Sequence, residues 1–204
     1  MALPKEPRQK MINLMYLVLT ALLALNVSAE IINAFKVVDN SLTTTNTVVN
    51  RSTETIMESF QLKLDAPESK AKAEIWMPKA KEAVRLTKEM SDYIEQLKMK
   101  IKVEAGYDPK DPNSTFKEDN VDIATRIMDK QGEGEKLRKK LEEYRTKMLA
   151  IDPTIGKMFE KNLPINTEIP KSTTGQLGKV TCASAYFRMT PTVAALTMLS
   201  KFQN

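Results

Sequence analysis

The chain contains no histidine, a single cysteine, one tryptophan and only 6 glycines in 204 residues. Each shortage removes a class of function. Without histidine, and with Cys182 alone, the usual ligand sets for zinc, copper or haem are missing, and so is the imidazole base that activates a serine or cysteine nucleophile. The residues point away from an enzyme, and neither a cofactor nor a metal is expected. A lone cysteine cannot close an internal disulfide, so a domain outside the cytoplasm has to be held by packing. Cys182 itself reads as a small buried apolar side chain. Phosphate-binding loops are absent too: the run from Gly175 to Lys179 lacks the P-loop spacing and the hydroxyl residue that follows it.

Charge is plentiful but unsorted. The net charge is +5 with 28% of residues charged, yet lysines and arginines alternate with glutamates rather than gathering on one face with interleaved aromatics. Even the densest cluster, Lys136 to Lys140, is followed at once by Glu142 and Glu143. That is the pattern of a solvated helical surface, and no nucleic-acid partner is expected.

What is present begins with Met11 to Ala29, a stretch without Asp, Glu, Lys or Arg, preceded by Lys5, Arg8 and Lys10. Nineteen helical residues reach about 28 Å, close to the hydrocarbon thickness of a bilayer. The stretch reads as an uncleaved single-pass anchor. A cleavable signal peptide ending at Val27, Ser28 and Ala29 is the alternative. Basic residues before the span and Glu30 after it place residues 1–10 in the cytoplasm, residues 11–29 in the membrane and residues 30–204 on the far side.

No glycine or proline occurs between Pro7 and Pro67. Apolar or small residues recur there at steps of three and four, from Leu14, Leu17, Ala21, Ala24 and Ser28 through Ile31, Phe35, Val38, Leu42, Thr45, Val49, Ser52 and Ile56. A 3.5-residue repeat of this length predicts a seam along one helix of about 55 residues and about 80 Å, anchor and exported rod in one piece, a seam of the kind that supercoils with a partner. The threonine-rich patch Ser41 to Asn50 is the one place where low helix propensity predicts a softening or break. A second amphipathic helix is expected to about Val103, with Trp76, Ala80, Ala83, Thr87, Met90, Ile94, Leu97 and Ile101 on its seam and Pro78 near its start. A loop from Gly106 to Asn120 follows. Next come a short helix over 121–130 broken by Gly132 and Gly134, a helix from Glu135 to Ile151, and a turn opened by Pro153 that runs to Leu163. Pro164, Pro170, Gly175 and Gly178 mark an irregular connection, Lys179 to Phe187 reads as a short strand, and Thr190 caps a last helix with Pro191 at its first position. That helix reaches Asn204 without a capping signal, which predicts a longer parent protein. The fold class is all-α, a single membrane helix continuing into an exported helical bundle.

The span carries the candidate site. At 100° per residue Gln9, Asn13, Tyr16 and Thr20 fall within about 60° of one another, a polar stripe on a lipid-compatible rod. Polar groups in a span face a protein partner or a wet cavity; the competing reading makes Gln9 and Tyr16 interfacial anchors and lets Thr20 bond its own helix. Arg8, at the cytoplasmic edge, serves either as a topology signal or as a bidentate partner for an acid on another subunit. With no carboxylate between Met11 and Ala29, a titrating group in any ion pathway here has to come from another subunit.

The run Pro7-Arg8-Gln9-Lys10-Met11-Ile12-Asn13-Leu14-Met15-Tyr16-Leu17-Val18, continued through Ala24-Leu25-Asn26-Val27-Ser28, closely resembles the N-terminus of the GldM/PorM family, the single-span motor subunit of gliding motility and type IX protein secretion. The closing stretch Pro191 to Asn204 resembles the end of that family's first periplasmic domain. The resemblance implies an inner-membrane homodimer whose two spans sit within a ring of GldL-type subunits, driven by the proton motive force. The periplasmic helical domain, residues 30–204, then passes motion to outer-membrane and periplasmic secretion components. It implies that Arg8 and Tyr16 lie near an acidic residue of that ring, with Asn13 in the same matching block. Two other readings stay open from the residues alone: a single-span helical sensor or receptor, and an exported helical binding protein or processed enzyme.

Overall fold

A computed structural model describes residues 7–111, 113–160, 163 and 181–204; the side chains of residues 22–28 lie outside that description. The described residues form helices and connecting turns, with no strand among them. The order is α1 (Pro7–Asp65), α2 (Lys70–Glu104), α3 (Asp122–Ala124), a π-helical turn (Thr125–Lys130), α4 (Glu133–Ala150), α5 (Pro153–Phe159), α6 (Cys182–Phe187) and α7 (Thr192–Gln203).

α1 is unbroken for 59 residues, about 90 Å at helical rise. The expected weakness at Ser41 to Asn50 does not materialise, for a local reason. The hydroxyls of Thr44, Thr45 and Thr47 donate to the carbonyls of Asn40, Ser41 and Thr43, one turn back. Those side chains are satisfied without leaving the helix. Ala66 to Ser69 turns the chain, with the Ser69 hydroxyl donating to the otherwise unpaired Lys63 carbonyl at 2.8 Å. α2 then returns antiparallel along α1, continuing through Pro78.

α2 ends where Gly106 takes φ +105. Tyr107 N–H bonds the Lys102 carbonyl and Gly106 N–H that of Val103, the paired closing bonds of a Schellman motif, which needs glycine at its left-handed position. The following loop is tied down at Lys117 N–H to the Ala105 carbonyl and by an ion pair of 2.7 Å between Glu118 and Lys36 of α1. α4 runs antiparallel to α2, as three pairs along its length show: Glu133 with Lys100, Tyr144 with Thr87, Asp152 with Lys79. Lys79 and the α5 amides hold the Asp152 carboxyl below its usual range. Ile94, Ile101, Ile127, Leu137 and Leu199 are fully or nearly fully buried at the centre of the bundle.

Several expectations are corrected. The described part of the expected strand, residues 181–187, is helical: the Thr181 hydroxyl caps α6 by accepting from Ser184 N–H at 3.1 Å, and alanines favour the helix behind it. Lys179 and Val180 lie outside the described residues, as do Pro164, Pro170, Gly175 and Gly178. Thr190 does not cap α7; its hydroxyl points back to the Tyr186 carbonyl. The free amides of Thr192 and Val193 instead meet the carbonyls of Asn120 and Glu118. Gly134 does not break a helix, since α4 begins at Glu133. Finally, the buried seam of α1 is turned from the expected one. Phe35 and Leu42 do face the bundle, but their companions are Ile32, Asp39, Asn46, Thr53, Met57, Phe60 and Leu64, each partly buried. Cys182 is partly rather than fully buried. Trp76 and Thr87 of the α2 seam are exposed.

Candidate functional site

The five candidate residues occupy the first turns of α1, and Arg8, Gln9, Asn13, Tyr16 and Thr20 are all exposed. Gln9 Nε2 donates to Asn13 Oδ1 at 3.4 Å, a weak link that holds two members of the stripe together. The Thr20 hydroxyl donates to the Tyr16 carbonyl at 2.7 Å, so its proton is committed to its own helix and only its lone pairs remain for a partner. Tyr16 is 64% exposed and projects its phenol away from the chain. Arg8 makes no ion pair with any described residue. It lies about 80° around the helix from Tyr16 and about 12 Å below it along the axis. The stripe and the arginine therefore address two different sectors of a surrounding surface, or two neighbouring molecules.

Among the described residues no helix is long and apolar enough to cross a membrane. The side chains of Leu22 to Ser28, the middle of the expected span, fall outside that description.

Further along α1 several of the expected seam residues form a second stripe that none of the described residues covers. Ile31, Val38, Val49 and Ile56 are 47%, 48%, 50% and 53% exposed; Thr45 and Ser52 continue the heptad track of Ile31 and Val38, and Val49 and Ile56 continue that of Phe35 and Leu42. From Asn40 to Asn50 the helix carries no charge at all, an uncommon surface for a solvated rod, and one that suits close approach of another helix.

The inner side of α1 holds polar residues that sequence reasoning passed over. Asp39 Oδ1 accepts from the Ser200 hydroxyl of α7 at 2.6 Å. Thr197 Oγ1 reaches the Phe35 carbonyl at 3.3 Å. On the other flank of α7, Gln203 accepts from Lys98 Nζ and donates to Glu95 and Ser91. The signal available in the sequence is the heptad series Ile32, Asp39, Asn46, Thr53 and Phe60, apolar at its ends and polar between them.

Comparison with known families gives one result. The model of the GldM N-terminal domain matches residues 30–204. No curated protein matches the chain.

Proposed function

Because this chain belongs to the GldM family through residues 30–204, we propose that it is an inner-membrane subunit of a motor driven by the proton motive force, powering type IX secretion and gliding motility. In this reading residues 1–10 are cytoplasmic, 11–29 span the membrane and 30–204 form the periplasmic domain. The protein binds and transmits; it transforms no substrate. Its span meets GldL-type ring subunits through Tyr16, Asn13, Thr20 and Gln9, with Arg8 facing an acidic residue of that ring. A guanidinium suits such a partner because it offers two parallel N–H donors to a carboxylate.

One observation carries the reading: the charge-free segment with the polar stripe and the helix against which α2 and α7 pack are the same uninterrupted α1. A displacement at Tyr16 therefore has no joint to absorb it before it reaches α2 and α7. The uncovered stripe from Ile31 to Ile56 supports a homodimer, since a second copy brings the same heptad track to meet it. The test is Arg8→Ala. Type IX secretion or gliding falls to background while the protein still inserts and self-associates; activity near wild type overturns the proposed partner role.

A further inference from the structure

α7 is wedged between α1 and α2, and eight of its residues are buried: Thr192, Val193, Ala194, Ala195, Leu196, Thr197, Leu199 and Ser200. Most are small, so the surface they offer is smooth. Alanine, serine and threonine give close approach but few knobs, and a smooth helix face does not by itself select one axial position over another a turn away. The start of α7 is held by the Thr192 and Val193 amides on the Asn120 and Glu118 carbonyls; along the rest of the helix position is what side-chain polar contacts supply. Phe35 pairs with Thr197 and Asp39 with Ser200, so α7 runs parallel to α1. The third contact, Gln203 with Lys98, Glu95 and Ser91, belongs to α2. Lys98 is only 8% exposed and Ser200 fully buried, so these partners are not freely replaced by water.

We propose that the Asp39–Ser200 and Lys98–Gln203 contacts are positioning contacts that fix the axial register of α7 against both α1 and α2. Sliding α7 by four residues brings Leu196 opposite Asp39 and Leu199 opposite Lys98. An apolar side chain then faces a half-buried carboxylate on one helix and a buried ammonium on the other, and no single displacement restores both. Polar groups in a helix interface are retained for this kind of selection even where an apolar pair would bind as strongly. The inference is independent of what drives α1; it concerns whether α7 is locked to it.

Disulfide mapping in the full chain, with Cys182→Ser as background, reads the register directly. Ile32→Cys with Val193→Cys has the 161-residue spacing of Asp39 and Ser200 and reports the native position; Lys36→Cys with Val193→Cys reports a one-turn displacement. The chain without further change cross-links through Ile32→Cys. Asp39→Asn, which still accepts the Ser200 proton, does the same. Asp39→Leu raises the displaced product relative to the native one by at least about fivefold, the factor that corresponds to one ordinary hydrogen bond, with helical content unchanged. An unaltered ratio in Asp39→Leu overturns the proposal. Should Asp39→Leu fail to fold, Ser200→Ala with Gln203→Leu decides by the same ratio.

Discussion

Two glycines at the start of α4 have opposite jobs, and only one of them is visible in the sequence. Gly132 has φ +75 and open space where a Cβ would stand, so it serves the backbone turn between the π-helical segment and α4. Gly134 sits inside α4, and a Cβ there would lie 2.5 Å from the Ala183 Cβ and 2.8 Å from the Met128 carbonyl oxygen. Its role is to let α6 lie against α4. Both read as breakers in sequence because glycine's conformational freedom is a local property, whereas a close approach depends on a segment some fifty positions away. Gly134→Ala is expected to destabilise the domain by about 1–3 kcal/mol, the usual cost of overpacking a tight contact. Chemical denaturation measures it. Ala183→Gly in the same chain should recover part of the loss, because it removes one of the two clashes and leaves the Met128 carbonyl in place. The candidate site behaved differently: Gln9, Asn13, Tyr16 and Thr20 share a face because helical periodicity alone puts them there. Asp39 was passed over because an acid on a helix reads as solvated until the helix it meets is known.

At the scale of elements, the heptad pattern of α1 predicts one long helix with a seam, and the bundle covers a neighbouring face and leaves most of that seam open. A 59-residue helix whose apolar residues repeat on adjacent tracks can bury either track. The choice was made by α7 and α2: α7 meets Phe35 and Asp39, and the face with Ile31, Val38, Val49 and Ile56 was left outside. A similar override by neighbours made α6 a helix where β-branched and aromatic residues suggested a strand, and gave α7 its cap from Glu118 and Asn120 instead of from Thr190. Short segments such as these take their conformation from what they pack on; the long ones, α1, α2 and α4, declared themselves by sustained periodicity, and α1 also by a run free of glycine and proline. The outer track of α1 has a direct consequence. Val38→Glu with Val49→Glu is expected to leave the folding free energy within about 0.5 kcal/mol of wild type, as exposed substitutions usually do, while abolishing self-association, because four carboxylates meet across the seam of a parallel pair. Sedimentation of the detergent-solubilised chain measures the second effect. A dimer that survives both charges places the contact elsewhere.

For the whole molecule the decisive property is that the first turn bearing Arg8 and the turn that ends near Pro67 belong to one helix, while α2 and α7 pack against its later part. Lys36 is paired with Glu118, six residues from Glu30, so the loop after α2 stands about 9 Å along the axis from the expected membrane exit. Little free helix separates the span from the body. If α1 transmits rotation, its stiffness between Ala29 and Ile32 matters and its sequence there does not. Two insertions after Ala29 separate these properties. Four residues of Gly-Ser-Gly-Ser lower local helix propensity and interrupt the shaft. Seven residues of a strong helix former such as alanine and glutamate lengthen it by about 10 Å but return the following residues to nearly the same angular phase, since seven residues are close to two turns. Both chains are expected to insert and to retain the folded bundle, checked by thermal unfolding, because the inserts touch none of its packing. Secretion of type IX cargo should be lost with the flexible insert and largely kept with the helical one. Equal activity of the two would mean that α1 tethers the domain to the membrane without turning it.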